Sequence, residues 1–254
     1  MYHLKDKVAV VTGASSGIGH AAARLFAALG AKLVVSGRRD AELADLVTMI
    51  EAVGGEAVSV VGDVRDEATA VAMVQAAKNR FGGLDIAFNN AGILSEMAPT
   101  PDLSVSGWRD ALDVNLTGAF LCAKHQIPAM QARGGGSIIF TSTFVGHTVG
   151  FPGMAAYAAS KAGLIGLTQV VATEFGAQKI RANALVCGGA DTPMGRSVAD
   201  TPAALDFISG LYALKRIAQP EEIARAAAFL ASDASSFMTG TATLVDGGVS
   251  ICRT

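Results

Sequence analysis

Short runs of apolar, mostly β-branched residues alternate along the chain with longer stretches in which apolar and charged residues recur at helical spacing. The short runs predict buried strands. They cover residues 8–11, 32–36, 57–61, 84–88, 137–141, 181–186 and 241–245. The stretches between them predict helices, most clearly at residues 17–29, 41–53, 67–81 and 155–175.

Strands that alternate with helices predict βαβ units, and therefore a parallel sheet with right-handed crossovers. Seven such strands use up the chain as a single α/β domain over residues 1–254: a doubly wound parallel seven-stranded sheet with helices on both faces. Residues 189–214 show a less regular pattern of apolar positions and include Pro193 and Pro202. We expect this part to be a loop with a short helix that acts as a substrate lid.

Composition supports this fold and narrows the partners. Hydrophobic residues make up 51% of the 254, which suits strands covered on both faces. The net charge of −2 argues against a nucleic acid or a membrane surface as partner, and no apolar run is long enough to span a bilayer. The three cysteines are widely spaced and lack metal-ligand spacing, which predicts reduced thiols, no metal site and a cytoplasmic protein.

A glycine-rich loop follows the first predicted strand and leads directly into a helix, reading Thr-Gly-Ala-Ser-Ser-Gly-Ile-Gly over residues 12–19. Such a loop allows a tight turn, close approach of the backbone to a pyrophosphate and close packing of helix on strand. The free N–H groups at the helix start then favour phosphate. The alternative is a tight turn with no ligand. The predicted dinucleotide-binding residues here are Gly13, Ser15, Ser16, Gly17, Ile18 and Gly19.

The end of the second strand indicates which dinucleotide is preferred. An acidic residue there would bind the ribose of NAD, but the sequence continues with Gly37, Arg38 and Arg39. Two guanidinium groups suit a 2′-phosphate, so NADP(H) is the predicted cofactor. NAD(H) stays possible if both arginines are only solvated. Asp63 and Val64 follow the third strand and are also assigned to the cofactor, although Asp63 is equally compatible with a turn.

Tyr157 and Lys161 stand four residues apart at the start of a predicted helix, so their side chains share one face. An ammonium group close to a phenol favours the phenolate and lowers the pKa of the phenol from its ordinary value of about 10 toward neutrality. The pair would then transfer a proton. Alone, this spacing is equally compatible with a packed aromatic beside a surface lysine.

Polar residues at the ends of the fourth and fifth strands strengthen the proton-transfer interpretation. The fourth strand leads into Asn90, Ala91 and Gly92, and the fifth ends in the hydroxyl cluster of residues 141–143. Because the carboxyl ends of parallel strands share one edge of the sheet, and ligands bind there, these groups should meet the dinucleotide.

In this order, the motifs resemble those of the short-chain dehydrogenase/reductase family, over essentially the whole chain. The matching segments are residues 12–19, 89–92, 114–116, 141–143, 157–161 and 246–248. The resemblance implies a Rossmann-like domain that oxidises secondary alcohols or reduces ketones with NAD(H) or NADP(H). It also implies a homotetramer.

The same resemblance implies a role for each matching residue. Tyr157 would be the general acid/base, Lys161 would lower its pKa and hold the nicotinamide ribose, and Asn115 would position a water. Ser142 or Thr143 would orient the carbonyl. Thr143 is favoured because it stands three residues before Gly146, where the family has its serine before a glycine.

The loop after the sixth strand departs from the family, which has Pro-Gly where this chain has Cys187 and Gly188. Gly188 and Thr192 are nevertheless expected to meet the nicotinamide. Cys187 is interpreted as a small buried filler. The function predicted first is an oxidoreductase acting with NADP(H) on a ketone or secondary alcohol. The alternatives are an NAD(H)-preferring dehydrogenase and a dinucleotide-binding protein without catalysis.

Overall fold

Seven strands form one fully parallel sheet in the computed structural model, which describes residues 2–252. Met1 and residues 253–254 of the predicted domain therefore lie outside the described residues. The strands are β1 (Val8–Thr12), β2 (Lys32–Gly37), β3 (Glu56–Val61), β4 (Ile86–Asn89), β5 (Gly136–Thr143), β6 (Ile180–Cys187) and β7 (Ala242–Val245). Their order in the sheet is β3-β2-β1-β4-β5-β6-β7.

Helices cover both faces of this sheet. They are α1 (Gly17–Ala28), α2 (Asp40–Glu51), α3 (Glu67–Phe81), α4 (Val105–Leu112), α5 (Gly118–Arg133), α6 (Ala155–Phe175), α7 (Pro193–Val198), α8 (Pro202–Gly210) and α9 (Pro220–Ala231). A π-helical segment, Asp113–Thr117, joins α4 to α5. The predicted fold class, a single doubly wound α/β domain, is confirmed.

Alternation along β1 shows how one strand serves both layers. Ala9 and Val11 pack into the core formed with α1, α2 and α9, whereas Val8 and Val10 pack into the core formed with α3, α5 and α6. Successive side chains of a strand point to opposite faces, so a strand covered on both sides is apolar throughout. All five residues of β1 are accordingly buried.

The direction of strand addition reverses at β1. The chain passes from β1 to β2 and β3 on one side, then returns to place β4 on the other side of β1. The crossovers diverge there and leave a crevice at the carboxyl ends of the strands, which is where open α/β sheets bind their ligands.

Residues 189–214 were predicted to form a loop with one short helix that acts as a lid. They contain two helices instead, α7 and α8. Each begins with the same local signal. Thr192 and Thr201 cap the two helices with their hydroxyl groups, and Pro193 and Pro202 occupy the first helical position of each. A threonine cap followed by proline favours helix initiation, so the second of these pairs marked a helix that the prediction did not include.

Candidate active site

A cleft of about 640 Å³ runs along the carboxyl ends of the strands. It is lined by nearly all the predicted site residues. Two of them do not line it, Gly19 and Asn115, and both lie beneath its wall, where they position neighbouring groups. The sheet therefore brings together residues that lie up to about 180 positions apart in the sequence.

The glycine loop adopts the backbone conformation expected of a phosphate-binding turn. Gly13 and Gly17 have φ values of +67° and +57°, in the left-handed region that other residues rarely occupy. A side chain at Gly19 would overlap the carbonyl oxygen of Gly13. Ser16 caps α1 without a side-chain hydrogen bond, and no acidic residue stands in the first turn of this helix. Its N–H groups are thus suited to a phosphate group.

Thr12 is a positioning residue that the sequence prediction did not assign. Its buried hydroxyl oxygen accepts hydrogen bonds from the backbone N–H groups of Asn90 and Ala91, both at 3.0 Å. Its carbonyl accepts from the Asn90 side chain at 3.2 Å. Thr12 therefore ties the glycine loop to the end of β4. Only its place immediately before Gly13 signalled this role in the sequence.

We expect Thr12→Val to lower the free energy of unfolding by about 2 kcal/mol, because two part-buried N–H groups lose their side-chain acceptor while the shape is kept. Chemical denaturation would measure this change. Thr12→Ser, which keeps the acceptor, serves as the matched control. Equal stability of the valine and serine variants would contradict the assignment.

Arg38 and Arg39 both line one end of the cleft but are held differently. The guanidinium of Arg39 donates to Ser15 Oγ at 3.0 Å and forms an ion pair with Glu42 at 3.1 Å. Within residues 2–252, Arg38 has no ion-pair partner within 4 Å. Arg38 is therefore the arginine with the freer guanidinium group.

Asp63 lies at the same end of the cleft, and its hydrogen bonds within the protein are those of a turn residue. Its carboxylate accepts from the Arg65 side chain at 2.8 Å and from the Arg65 backbone N–H at 3.0 Å. These hydrogen bonds, from the side chain most of all, lower the pKa of Asp63. The carboxylate nevertheless lines the cleft and keeps acceptor capacity toward it.

Thr143 and Ser142 point to different partners. Thr143 donates to the carbonyl oxygen of Cys187 at 3.3 Å and lies close enough to the Tyr157 hydroxyl to lower its pKa. Ser142 instead donates to the backbone carbonyl of Lys161 at 2.8 Å and is buried. Of the two hydroxyls, that of the threonine therefore lies beside the Tyr157 phenol, while the serine anchors the start of α6.

The electrostatics of the Tyr157–Lys161 pair differ from the sequence expectation. Burial raises the pKa of Tyr157 to about 12, with a further increase from Cys187, and the hydrogen bond with Thr143 offsets only part of this. Burial also lowers the pKa of Lys161 to about 8. The expected fall of the Tyr157 pKa is therefore not produced by the protein's own groups. Desolvation in the cleft wall is the largest cause of both shifts.

Lys161 Nζ and Asn115 Oδ1 both lie close to Gly92. Lys161 Nζ donates to the carbonyl oxygen of Thr141 at 2.8 Å. A side chain at Gly92 would begin 3.0 Å from Lys161 Nζ and 3.1 Å from Asn115 Oδ1, so the absence of a side chain there lets the two groups approach.

The amide of Asn115 is used within the protein. It bonds both backbone groups of Ile93, at 2.8 and 2.9 Å, and Ser160 Oγ at 3.0 Å. Asn115 lies in the π-helical segment, a local irregularity often found at functional sites. The contact with Ser160 joins this segment to α6. Sequence reasoning did not include Ser160, whose only signal was its place beside Lys161.

Cys187 fits the predicted role of a small buried filler. Its thiol is 4% exposed, and burial raises its pKa to about 12, so it is protonated near neutrality. Its carbonyl oxygen accepts hydrogen bonds from the Thr143 hydroxyl and from the backbone N–H of Phe144 at 3.1 Å. The residue therefore joins the ends of β5 and β6.

The segment predicted as a lid, residues 189–214, lines one end of the cleft and is held by several contacts. A side chain at Gly17 would begin 3.0 Å from the Thr192 methyl group, so the start of the lid touches the glycine loop. The buried hydroxyl of Tyr212 accepts from the backbone N–H of Gly189 at 2.6 Å. Gly188 is bonded through its N–H to Val245 in β7. These contacts hold both ends of the lid against the sheet.

Across residues 2–252, no group of three or more His, Cys, Asp or Glu side chains is placed to hold a metal ion. In the same part of the chain, no helix combines the length and apolarity needed to cross a membrane.

Comparisons with known proteins agree with this architecture. A family model described as enoyl-(acyl carrier protein) reductase matches residues 13–250. The chain is 42% identical to a cis-4-hydroxycyclohexanecarboxylate dehydrogenase of Sinomonas cyclohexanicum, with 96% of each chain covered. A short-chain type dehydrogenase/reductase from Mycobacterium marinum has a similar structure, with a TM-score of 0.92, 35% identity and coverage of 99% and 98% of the two chains.

One further solved structure contains a nucleotide. It is described as a putative NAD(P)-dependent gluconate 5-dehydrogenase from Beutenbergia cavernae with NADP bound at low occupancy. It has a TM-score of 0.91 and 35% identity over 97% of this chain and 98% of that one.

Proposed function

Because this chain belongs to the short-chain dehydrogenase/reductase family, and is thus an NAD(P)-dependent enzyme acting on CH–OH groups, we propose that it transfers a hydride between NADP(H) and a ketone or secondary alcohol. Tyr157 is the proposed general acid/base. The observation that supports this proposal most is that Thr143, Tyr157 and Lys161 line the same cleft as the glycine loop.

The residues of the cleft fit a dinucleotide. The first turn of α1 presents its N–H groups without a competing carboxylate, and the left-handed glycines bring the backbone close to where a pyrophosphate would lie. Ser15, Ser16, Ile18, Val64, Ala91 and Thr192 complete the proposed binding surface. When bound, the nicotinamide supplies the hydride chemistry.

Side chains of the protein itself are proposed to transfer the proton. The raised pKa of Tyr157 keeps its hydroxyl protonated near neutrality. The protonated phenol is the form that donates a proton to the oxygen of a ketone. Thr143 lines the cleft beside Tyr157 and is proposed to hold the same substrate oxygen. Lys161, whose lowered pKa makes its proton easier to release, is proposed to hold the nicotinamide ribose and to return a proton to Tyr157.

The preference for NADP(H) over NAD(H) is supported by the two arginines at the end of β2. Arg38 faces the cleft without an ion-pair partner among residues 2–252, and the end of β2 carries no carboxylate that would repel a 2′-phosphate. A guanidinium group matches phosphate geometry well. The relative with NADP bound is consistent with this preference.

Thr143 supports a separate prediction. We expect Thr143→Val to lower kcat by about tenfold or more, since the shape is kept while the hydrogen bond to the substrate oxygen is lost. Thr143→Ser should keep most of the activity. Steady-state kinetics on a secondary alcohol, with dinucleotide affinity measured in parallel, would test this. A valine variant as active as the serine variant would exclude the role.

The competing function is a dinucleotide-binding protein without catalysis. The replacement of the family's serine and proline by Thr143 and Cys187 is what favours it. Turnover of any ketone in a panel of ring ketones, sugars and hydroxysteroids with NADPH would exclude it.

Assembly and location belong to the same proposal. We propose a homotetramer, as the family resemblance implies, in the cytoplasm, where the buried thiols of Cys122 and Cys187 would stay reduced. Light scattering of the purified protein would measure the assembly.

A further inference from the structure

The charged side chains of the cleft are concentrated away from its lid end. Among the described residues that line it, only Arg38, Arg39, Asp63 and Lys161 are charged. The first three follow β2 and β3, at one side of the sheet. Lys161 is buried and turned toward the carbonyl of Thr141. Beyond Tyr157, toward β6 and the lid, the described lining has no charge.

Apolar side chains line the lid end instead. They are Phe144, Phe151, Met154, Ile208, Leu211 and Val249. The rings of Phe144 and Phe151 pack edge to face with centroids 5.7 Å apart. The hydroxyl of Tyr212 is already bonded to Gly189. Tyr157 and Thr143, whose hydroxyl donates to the carbonyl oxygen of Cys187 at 3.3 Å, are the hydroxyls proposed to meet the substrate oxygen at this end.

Arg196, a cation on the lid, does not bring a charge into this end of the cleft. Arg196 lies on α7 but is paired with Asp191 at 2.7 Å, is 70% exposed at its side chain, and is not part of the lining. A carboxylate placed here would lose hydration without gaining a counter-ion, which is strongly unfavourable. A hydrocarbon frame would instead gain from burial against the apolar wall.

We infer that the substrate is an uncharged secondary alcohol, or its ketone, with a hydrocarbon frame around the reacting carbon, and that carboxylic acids and sugar acids are rejected. This inference rests on the proposed function, because it concerns the same reacting site. It adds the chemical class that the lid end selects.

The test compares a methyl group with a carboxylate on the same ring. Calorimetry on the full chain with NADP⁺ would measure binding of 4-methylcyclohexanone and of 4-oxocyclohexanecarboxylate. Steady-state kinetics would compare 4-methylcyclohexanol, 4-hydroxycyclohexanecarboxylate and gluconate. We expect affinity and kcat/KM to be about 100-fold lower for the acids. Comparable values for the methyl and carboxylate compounds would overturn the inference.

A gain-of-function variant supplies the missing charge. Val198 lines the cleft and is 38% exposed, so Val198→Arg would place a cation at the lid end without filling the core. Phe207→Arg, on the outer side of α8 at 69% exposure and outside the lining, is the matched control.

We expect kcat/KM for the carboxylate, relative to the methyl compound, to rise at least about tenfold in Val198→Arg alone. An equal rise in both variants, or none, would count against the inference. If no alcohol or ketone is turned over with either dinucleotide, the proposed function fails, while the ratio of the two binding constants still decides the ligand class.

Discussion

Replacing Tyr157 by phenylalanine should lower kcat by about 10³-fold while leaving the dissociation constant for the dinucleotide nearly unchanged, because only the hydroxyl that transfers the proton is removed. The ring is half-buried in the cleft wall and is retained in the variant. Single-turnover kinetics with NADPH and a reducible ketone would measure the chemical step. Fluorescence titration would measure NADPH binding separately.

Tyr212→Phe is the matched control, because it removes a second phenol hydroxyl from the same cleft. That hydroxyl bonds Gly189 rather than Thr143, so its loss should affect the lid and KM more than the chemical step. A Tyr157→Phe enzyme that keeps most of its kcat would show that another group transfers the proton. Equal losses in both variants would point to a structural effect.

Removing both Arg38 and Arg39 should reduce the preference for NADPH over NADH by about 100-fold, because charge-assisted bonds to a 2′-phosphate contribute about 1.5–3 kcal/mol each. Dissociation constants for the two reduced dinucleotides measure the ratio directly. NADH affinity should change little, because its ribose carries no phosphate. An unchanged ratio of the two dissociation constants would favour the alternative, an NAD(H)-preferring dehydrogenase.

The single variants refine this prediction. Arg39 already bonds Ser15 and Glu42, whereas Arg38 has no ion-pair partner among residues 2–252, so Arg38→Ala should have the larger effect. Arg80→Ala, on α3 and outside the cleft lining, is the control for the loss of one positive charge. A larger effect of Arg39→Ala would reverse the assignment of the two residues.

Local sequence determined much of the fold. Continuous apolar runs identified the strands, since a strand covered on both faces is largely apolar, as residues 8–11 of β1 are. The positive φ values at Gly13 and Gly17 follow from the residue type, because only glycine adopts them without strain. Chain order, together with the family resemblance, also placed Tyr157, Lys161 and Thr143 in one cleft.

Other features depended on contacts between distant segments. The bonds of Thr12 to Asn90 and Ala91 bridge about 80 positions, and no local pattern encodes them. The shifts of the Tyr157 and Lys161 pKa values came from burial, which a spacing of four residues does not reveal. The π-helical segment at Asn115 likewise has no periodic signature.

By itself, then, the sequence determined the alternation of strands and helices and predicted which residues would line one cleft, because turn geometry and helical spacing are local properties. Only the tertiary structure decided which hydroxyl faces Tyr157, which arginine is free, and that the lid end of the cleft lacks charge. Those features depend on how elements far apart in the chain pack against each other, and packing sets both desolvation and the available partners.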